Sequence, residues 1–265
     1  MLAALSVLAL LAPSLAGARK KKGPPPTLAD QVTSLAKQLY GVPFDESQPL
    51  TDQIQKLVLD HMGDWLAAHP PSPQSLQPAA DPPYDVQVRR ELESVFASLH
   101  YPIYALAAAF VRPWGKGELL GVGYTLGWSD YDRANVVALF EASGAGVEPS
   151  AITHFVPDTD LHYAFFAAPP AAAGQFWFLV YGTRLGKSHP RLSAVLYGFD
   201  GKALNALWQT RDAYDGQISV AGERVVINYM KESEFVAAVT NHTEAPRHEA
   251  AYHLSLNGLE LDYDR

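Results

Sequence analysis

Apolar positions recur at helical spacing in the first third of the chain. Leu28, Val32, Leu35 and Leu39 fall at i, i+4, i+7 and i+11. They follow Thr27-Leu28-Ala29-Asp30, which has the form of a capping box, and precede Gly41 and Pro43, which end the pattern. This predicts an amphipathic helix over about 27–40. A second helix begins near Thr51, carries Ile54, Leu57, Val58, Met62, Trp65 and Leu66 on one stripe, and ends before Pro70-Pro71. A third, about 85–98, is marked by Val88, Leu92, Val95 and Leu99, with Arg89, Arg90, Glu91 and Glu93 on its outside. Six prolines crowd residues 70–83, a density that predicts a stiff linker between the second and third helices.

From residue 99 the period shortens to that of strands. Runs rich in Tyr, Phe, Val and Leu occupy 99–111, 118–126, 135–141, 161–167, 175–183, 193–199, 204–208, 217–220, 224–230, 235–240, 250–256 and 259–263, separated by Gly, Pro, Asp and Asn. The expected fold class is α+β, a helical N-terminal segment followed by a predominantly antiparallel β domain. Its parts are a helical segment 27–69, a linker 70–83 and a mainly β domain 84–265.

The strands carry a weak threefold pattern. Leu99-His100-Tyr101 and Leu161-His162-Tyr163 open segments 62 residues apart, and Arg224-Val225-Val226 opens a third at nearly the same distance. Second strands are expected at Leu119–Tyr124, Phe176–Tyr181 and Phe235–Thr240. Gly turns at Ala142-Ser143-Gly144, Phe199-Asp200-Gly201 and Leu256-Asn257-Gly258 lie 57 residues apart. Three four-stranded repeats fit a propeller-like array, a β-trefoil or a sandwich. The stretch from Tyr197 to Trp208 resembles the hairpin of propeller blades, although a closed propeller as a rule takes about four blades or more.

Residues 1–18 carry no charged side chain, run apolar from Leu2 to Ala12, break at Pro13 and end Ala16-Gly17-Ala18. This predicts a signal peptide cleaved after Ala18 and an exported protein, periplasmic or extracellular. Arg19-Lys20-Lys21-Lys22 and Gly23-Pro24-Pro25-Pro26 then form a basic, proline-rich spacer over 19–26. Positive charge after rather than before the apolar run is the mark of the alternative, an uncleaved membrane anchor.

Composition narrows the chemistry. The 265 residues contain no cysteine, which excludes a disulfide framework, a thiol nucleophile and cysteine-ligated zinc or iron–sulfur. A net charge of −8 argues against a nucleic-acid partner, since affinity for phosphate backbones comes from Lys and Arg.

The motifs that suggest chemistry fail on spacing. Gly186-Lys187-Ser188 lies one residue too close to Gly182 for a phosphate-binding loop, and Pro190 stands where a helix must start. His248 and His253 are five apart, not the four that bring two imidazoles to one helix face. His242, Glu244 and His248 read as loop polarity. His100 and His162 hold matching positions, but Val225 takes the third, so a three-His site is broken. Asp130-Tyr131-Asp132 and Asp158-Thr159-Asp160 pair acids as cation loops do, without the later ligands such a loop requires. Gly123-Tyr124-Thr125-Leu126-Gly127 has Thr where a hydrolase elbow needs Ser.

Aromatic side chains are the remaining signal. Trp114 and Trp128 stand beside Pro113, Gly115, Gly127 and Ser129 in turn-like stretches, placed to stack on a sugar or peptide, with Tyr131 close behind. The resulting expectation is an exported, non-catalytic binding protein that takes a protein or carbohydrate partner through Trp114, Trp128 and Tyr131. No metal or cofactor is assigned, and membrane contact is expected only through the N-terminal segment. Two alternatives stand beside it. One is a secreted hydrolase assembled in three dimensions from Asp130, Asp132, Asp158 and Asp160 or the His100/His162 pair. The other is a membrane-anchored envelope-assembly protein.

Overall fold

The computed structural model describes residues 25–77, 80, 82–129, 132–142, 146–153, 160–184, 190–210 and 213–265. The segment expected to be a signal peptide, most of the basic stretch after it, Asp130, Tyr131, Asp158 and Gly186-Lys187-Ser188 lie outside them.

Three helices come first: α1 (Leu28–Leu39), α2 (Gln48–Ala68) and α3 (Tyr84–Val95). The capping box of α1 is formed, with Thr27 and Asp30 exchanging side-chain and backbone bonds. The acidic side of that exchange draws the Asp30 carboxyl below its usual range, through the Thr27 hydroxyl first and the Thr27 backbone N–H second. Helix α2 starts three residues before Thr51, because Pro49 near its N-terminus needs no hydrogen-bond acceptor there.

Twelve strands follow among the described residues. β1 (Tyr104–Trp114), β2 (Gly117–Gly127), β3 (Arg133–Ala142) and β4 (Val147–Thr153) form an antiparallel meander in sequence order. β5 (His162–Phe166), β6 (Phe176–Arg184), β7 (Arg191–Phe199) and β8 (Leu204–Gln209) form a second meander. β9 (Ala213–Ala221), β10 (Arg224–Lys231), β11 (His248–Ser255) and β12 (Gly258–Asp264) form a third. A β7–β9 pairing at Arg191 and Tyr214 joins the second and third meanders into one eight-stranded sheet, and neither sheet closes into a barrel. The fold is α+β, helical first and then antiparallel β.

Three apolar layers hold this stack together. Val32, Leu39, Val58, Met62, Val88 and Leu92 of the helices pack on Leu120, Val122, Leu126 and Phe140 of the first sheet. The opposite face of that sheet, through Phe110, Leu119, Val137 and Leu139, meets Phe178, Val180, Tyr197 and Phe199 of the second meander. Behind those, Trp177, Leu179 and Leu196 meet Val225, Ile227 and Leu259 of the third. The first core crosses the proline-rich stretch, so α1 and α2 are packed into the same apolar interior as α3 and β1–β3. β2, covered on both faces, is buried over Leu119–Gly127, as a central strand between two layers must be.

Three sequence expectations are corrected here. Phe235–Thr240 is not a strand: it lies in a fourth helix, α4 (Glu232–Asn241), inserted between β10 and β11. Phe235 stacks on Tyr214 at 5.4 Å and Ala238 is buried, an i, i+3 contact that a strand would send to opposite faces. The third meander opens at β9, not at Arg224, which begins its second strand. Leu99-His100-Tyr101 precedes β1, held in turns by Leu99 N–H to the Phe96 carbonyl and Ile103 N–H to the His100 carbonyl, each 3.0 Å.

Candidate functional site

Of the three residues expected to bind a ligand, Tyr131 lies outside the described residues, and the β1–β2 register sets Trp114 and Trp128 at opposite ends of β2. Trp128 is fully buried in the core between the helices and β2. Its indole N–H donates to the Val42 carbonyl at 2.8 Å, and nearby the Phe44 backbone N–H donates to Asp132 Oδ1 at 3.2 Å. The segment after α1 thus closes over the β2–β3 turn and leaves the Trp128 ring no open face. Trp128 is a structural anchor. Trp114 is half-buried: its N–H donates to the Gly174 carbonyl at 3.3 Å and its ring lies 5.2 Å from Phe199. Gly201, at a positive φ of 92°, keeps the space beneath that ring, where a Cβ would stand 3.2 Å from it. Trp114 therefore ties β1 to the second meander, and it lines an open cleft of about 450 Å3 with Lys116, Glu118 and Glu141. Burial pushes the Glu118 carboxyl up.

Among the described acids and histidines expected to build a hydrolase, Asp160 and His162 meet, while Asp132 and His100 sit in separate turns. Asp132 accepts from Ser129 at 2.7 Å within the β2–β3 turn. Asp160 lies 3.2 Å from His162 Nε2 and accepts from the Thr183 backbone N–H, while the His162 ring stacks on Tyr181. His248 is held by Glu234 at 2.5 Å, and His253 by Asp262 at 2.6 Å. His248–Glu234 ties β11 to α4 and His253–Asp262 ties β11 to β12, whereas Ser129–Asp132 and Asp160–His162 are local contacts within one segment. Among the described residues no group of His, Asp or Glu is arranged to hold a metal ion.

A different constellation forms where α1 meets the approach to β1. Thr33, Lys37 and Tyr40 fall at i, i+4 and i+7, a stripe of α1 beside its core-facing stripe. Across from them the turns at 99–103 present His100 and Tyr101. Together they border a recess of about 310 Å3 whose apolar wall is Leu99, Pro102 and Ile103. Tyr101 is 88% exposed and Tyr40 65% exposed. Among the described residues, no hydrogen bond or ion pair engages the side chains of Lys37, His100 or Tyr101. Thr33 is only 9% exposed, and its hydroxyl is buried without a hydrogen-bond partner. None of the residues lining the recess is acidic.

Of this site the sequence supplied His100, weighed as half of a histidine pair, and missed the rest. The signal was present: Thr33, Lys37 and Tyr40 form a helical stripe next to the apolar one, but such a stripe looks like any solvated face until a second element is known to cover it.

Compared with protein-family models and with curated proteins, the chain matches none. Among the described residues no helix is long and apolar enough to cross a membrane.

Proposed function

We propose that this is an exported, non-catalytic binding protein whose ligand sits in the recess between α1 and residues 99–103. The observation that carries this reading is the convergence there of two exposed tyrosine rings, two unengaged basic side chains and a buried, unpartnered hydroxyl. A buried hydroxyl is ordinarily paired, and a volume of about 310 Å3 falls at the lower end of small-ligand pockets. A segment of a protein partner or a small sugar-like or aromatic molecule fits that size. Export is supported by the uncharged, apolar residues 1–18 with their small-residue ending.

The same reading takes the three meanders as one repeated unit, stacked face to face in the manner of propeller blades, with α1–α3 covering one end. The threefold succession of four antiparallel strands and the 57-residue spacing of the Gly turns support it.

Thermal melting against a panel of small carboxylates, phosphates, monosaccharides and short peptides tests the binding role, because a ligand that prefers the folded state raises the melting temperature. At least one class is expected to stabilise the natural protein and not the Tyr101→Ala variant. No shift with any class, or equal shifts in both proteins, contradicts the proposal. N-terminal sequencing of the mature protein is expected to begin at Arg19.

A further inference from the structure

We propose that the recess takes the anionic end of its ligand, a carboxylate or phosphate carried on a flat or apolar body; this rests on the binding role proposed above. Every charged side chain lining it is basic or becomes so on protonation: Lys37 from α1 and His100 from the turn. Neither has an ion-pair or hydrogen-bond partner among the described residues, although the protein as a whole carries eight more negative than positive charges. In a chain so acidic, an unpaired Lys beside a His with no carboxylate in the same wall is a local inversion of charge, and it favours an anion on approach.

Thr33 points to the same class. A buried hydroxyl with no partner is costly, and one on a residue that lines the recess is the kind of donor that a ligand oxygen satisfies. The remaining wall sets the body of the ligand. Leu99, Pro102 and Ile103 offer it apolar surface, and Tyr40 and Tyr101 offer ring faces that stack on a planar group. The exposed rings can swing over a bound molecule without disturbing the core, since Ile103 and Leu39, not the tyrosines, are the residues buried there.

The test uses the full chain and three probes of matched shape: N-acetylphenylalanine, its neutral amide, and phenyl phosphate, each titrated by calorimetry. The carboxylate or the phosphate is expected to bind at least about 5-fold more tightly than the amide, a ratio set by one charge-assisted hydrogen bond at a part-exposed site. Lys37→Gln, whose side chain is exposed and outside the core, is expected to erase that preference, and raised salt to reduce it. Carboxylate stronger than phosphate assigns a chain terminus or organic acid as the source, and the reverse order assigns a phosphate. If the amide binds as tightly as the acids and binding is lost in Tyr101→Ala, the binding role stands and the anionic assignment falls. If no probe binds, the anionic assignment falls, and the binding role is decided by the monosaccharides and peptides of the melting panel. Thr33→Val separates the hydroxyl from the charge: a lower affinity with the acid preference intact is expected, and unchanged affinity removes Thr33 from the site.

Discussion

The ring of Phe110 lies across Gly121, its cross-strand partner in β1 and β2, and a Cβ added at Gly121 would fall 2.0 Å from Phe110 Cε1. The ring has no route of retreat. Tyr163, Phe165, Phe178 and Phe176 surround it with centroids 4.9, 5.0, 5.5 and 5.9 Å away. This contact sets how closely the first sheet and the second meander approach.

Gly121→Ala is therefore expected to destabilise the protein by about 2–4 kcal/mol in urea unfolding, through overpacking of a buried interface. In a Phe110→Leu background the same change is expected to lose much less, since the branched side chain leaves room for the methyl. Equal losses in both backgrounds would show that Phe110 does not occupy that space.

Trp128→Phe keeps most of the apolar bulk and removes the donor to the Val42 carbonyl. A loss of about 1–3 kcal/mol is expected, with faster amide hydrogen exchange confined to residues 42–46 and the β2–β3 turn. Ligand affinity should be unaffected. A change in ligand affinity with stability intact would return Trp128 to a recognition role.

Tyr163 has a buried hydroxyl with no partner among the described residues, pressed toward Gly123, and burial pushes that hydroxyl well above its ordinary range. Removing the oxygen removes the unmet desolvation. Tyr163→Phe is expected to be neutral or stabilising by about 1 kcal/mol in the same unfolding assay, whereas a buried hydroxyl with a partner would give a loss of similar size.

Much of the fold was legible in the chain. The stripes at Leu28–Leu39 and Ile54–Leu66 and the alternation after residue 99 depend on local periods of burial, which sequence records directly. Where the reading failed, the deciding contact came from far along the chain. Phe235-Val236-Ala237-Ala238-Val239-Thr240 has the residue types of a strand, yet the preceding strand β10 is already paired on both sides, with β9 and β11. Tyr214 on β9, with its hydroxyl donating to Glu232 at 2.6 Å and its ring under Phe235, selects the helix instead. β4 was obscured by Pro149, which is tolerated because β4 is an edge strand and its register shifts at that point. The site was harder to see. Trp128 has exposed-looking neighbours in Gly127 and Ser129, but Val42 covers it from 86 residues away. Lys37 and Tyr101 have nothing in their flanking sequence to mark them as neighbours.

Tyr84 gives a pH test of the helical layer. It is buried beside Trp65 and donates to the His69 carbonyl, and burial pushes its hydroxyl up to about 12. Its folded value lies above the unfolded value near 10, so the stability it represents is whole below about pH 10 and is lost as pH rises toward 12. Tyr84→Phe is expected to flatten the alkaline limb of the stability–pH curve in that window and leave the limb below pH 9 unchanged. An unaltered slope would mean that Tyr84 ionises as freely folded as unfolded.

The central claim is that this protein binds through the recess between α1 and residues 99–103. Amide-resolved nuclear magnetic resonance of the full chain, titrated with N-acetylphenylalanine, tests it most directly. Saturable shifts centred on residues 33–40 and 99–103 are predicted, with the Trp114–Glu118 hairpin unmoved. Saturable shifts centred on Trp114–Glu118, or shifts that never saturate, would contradict it.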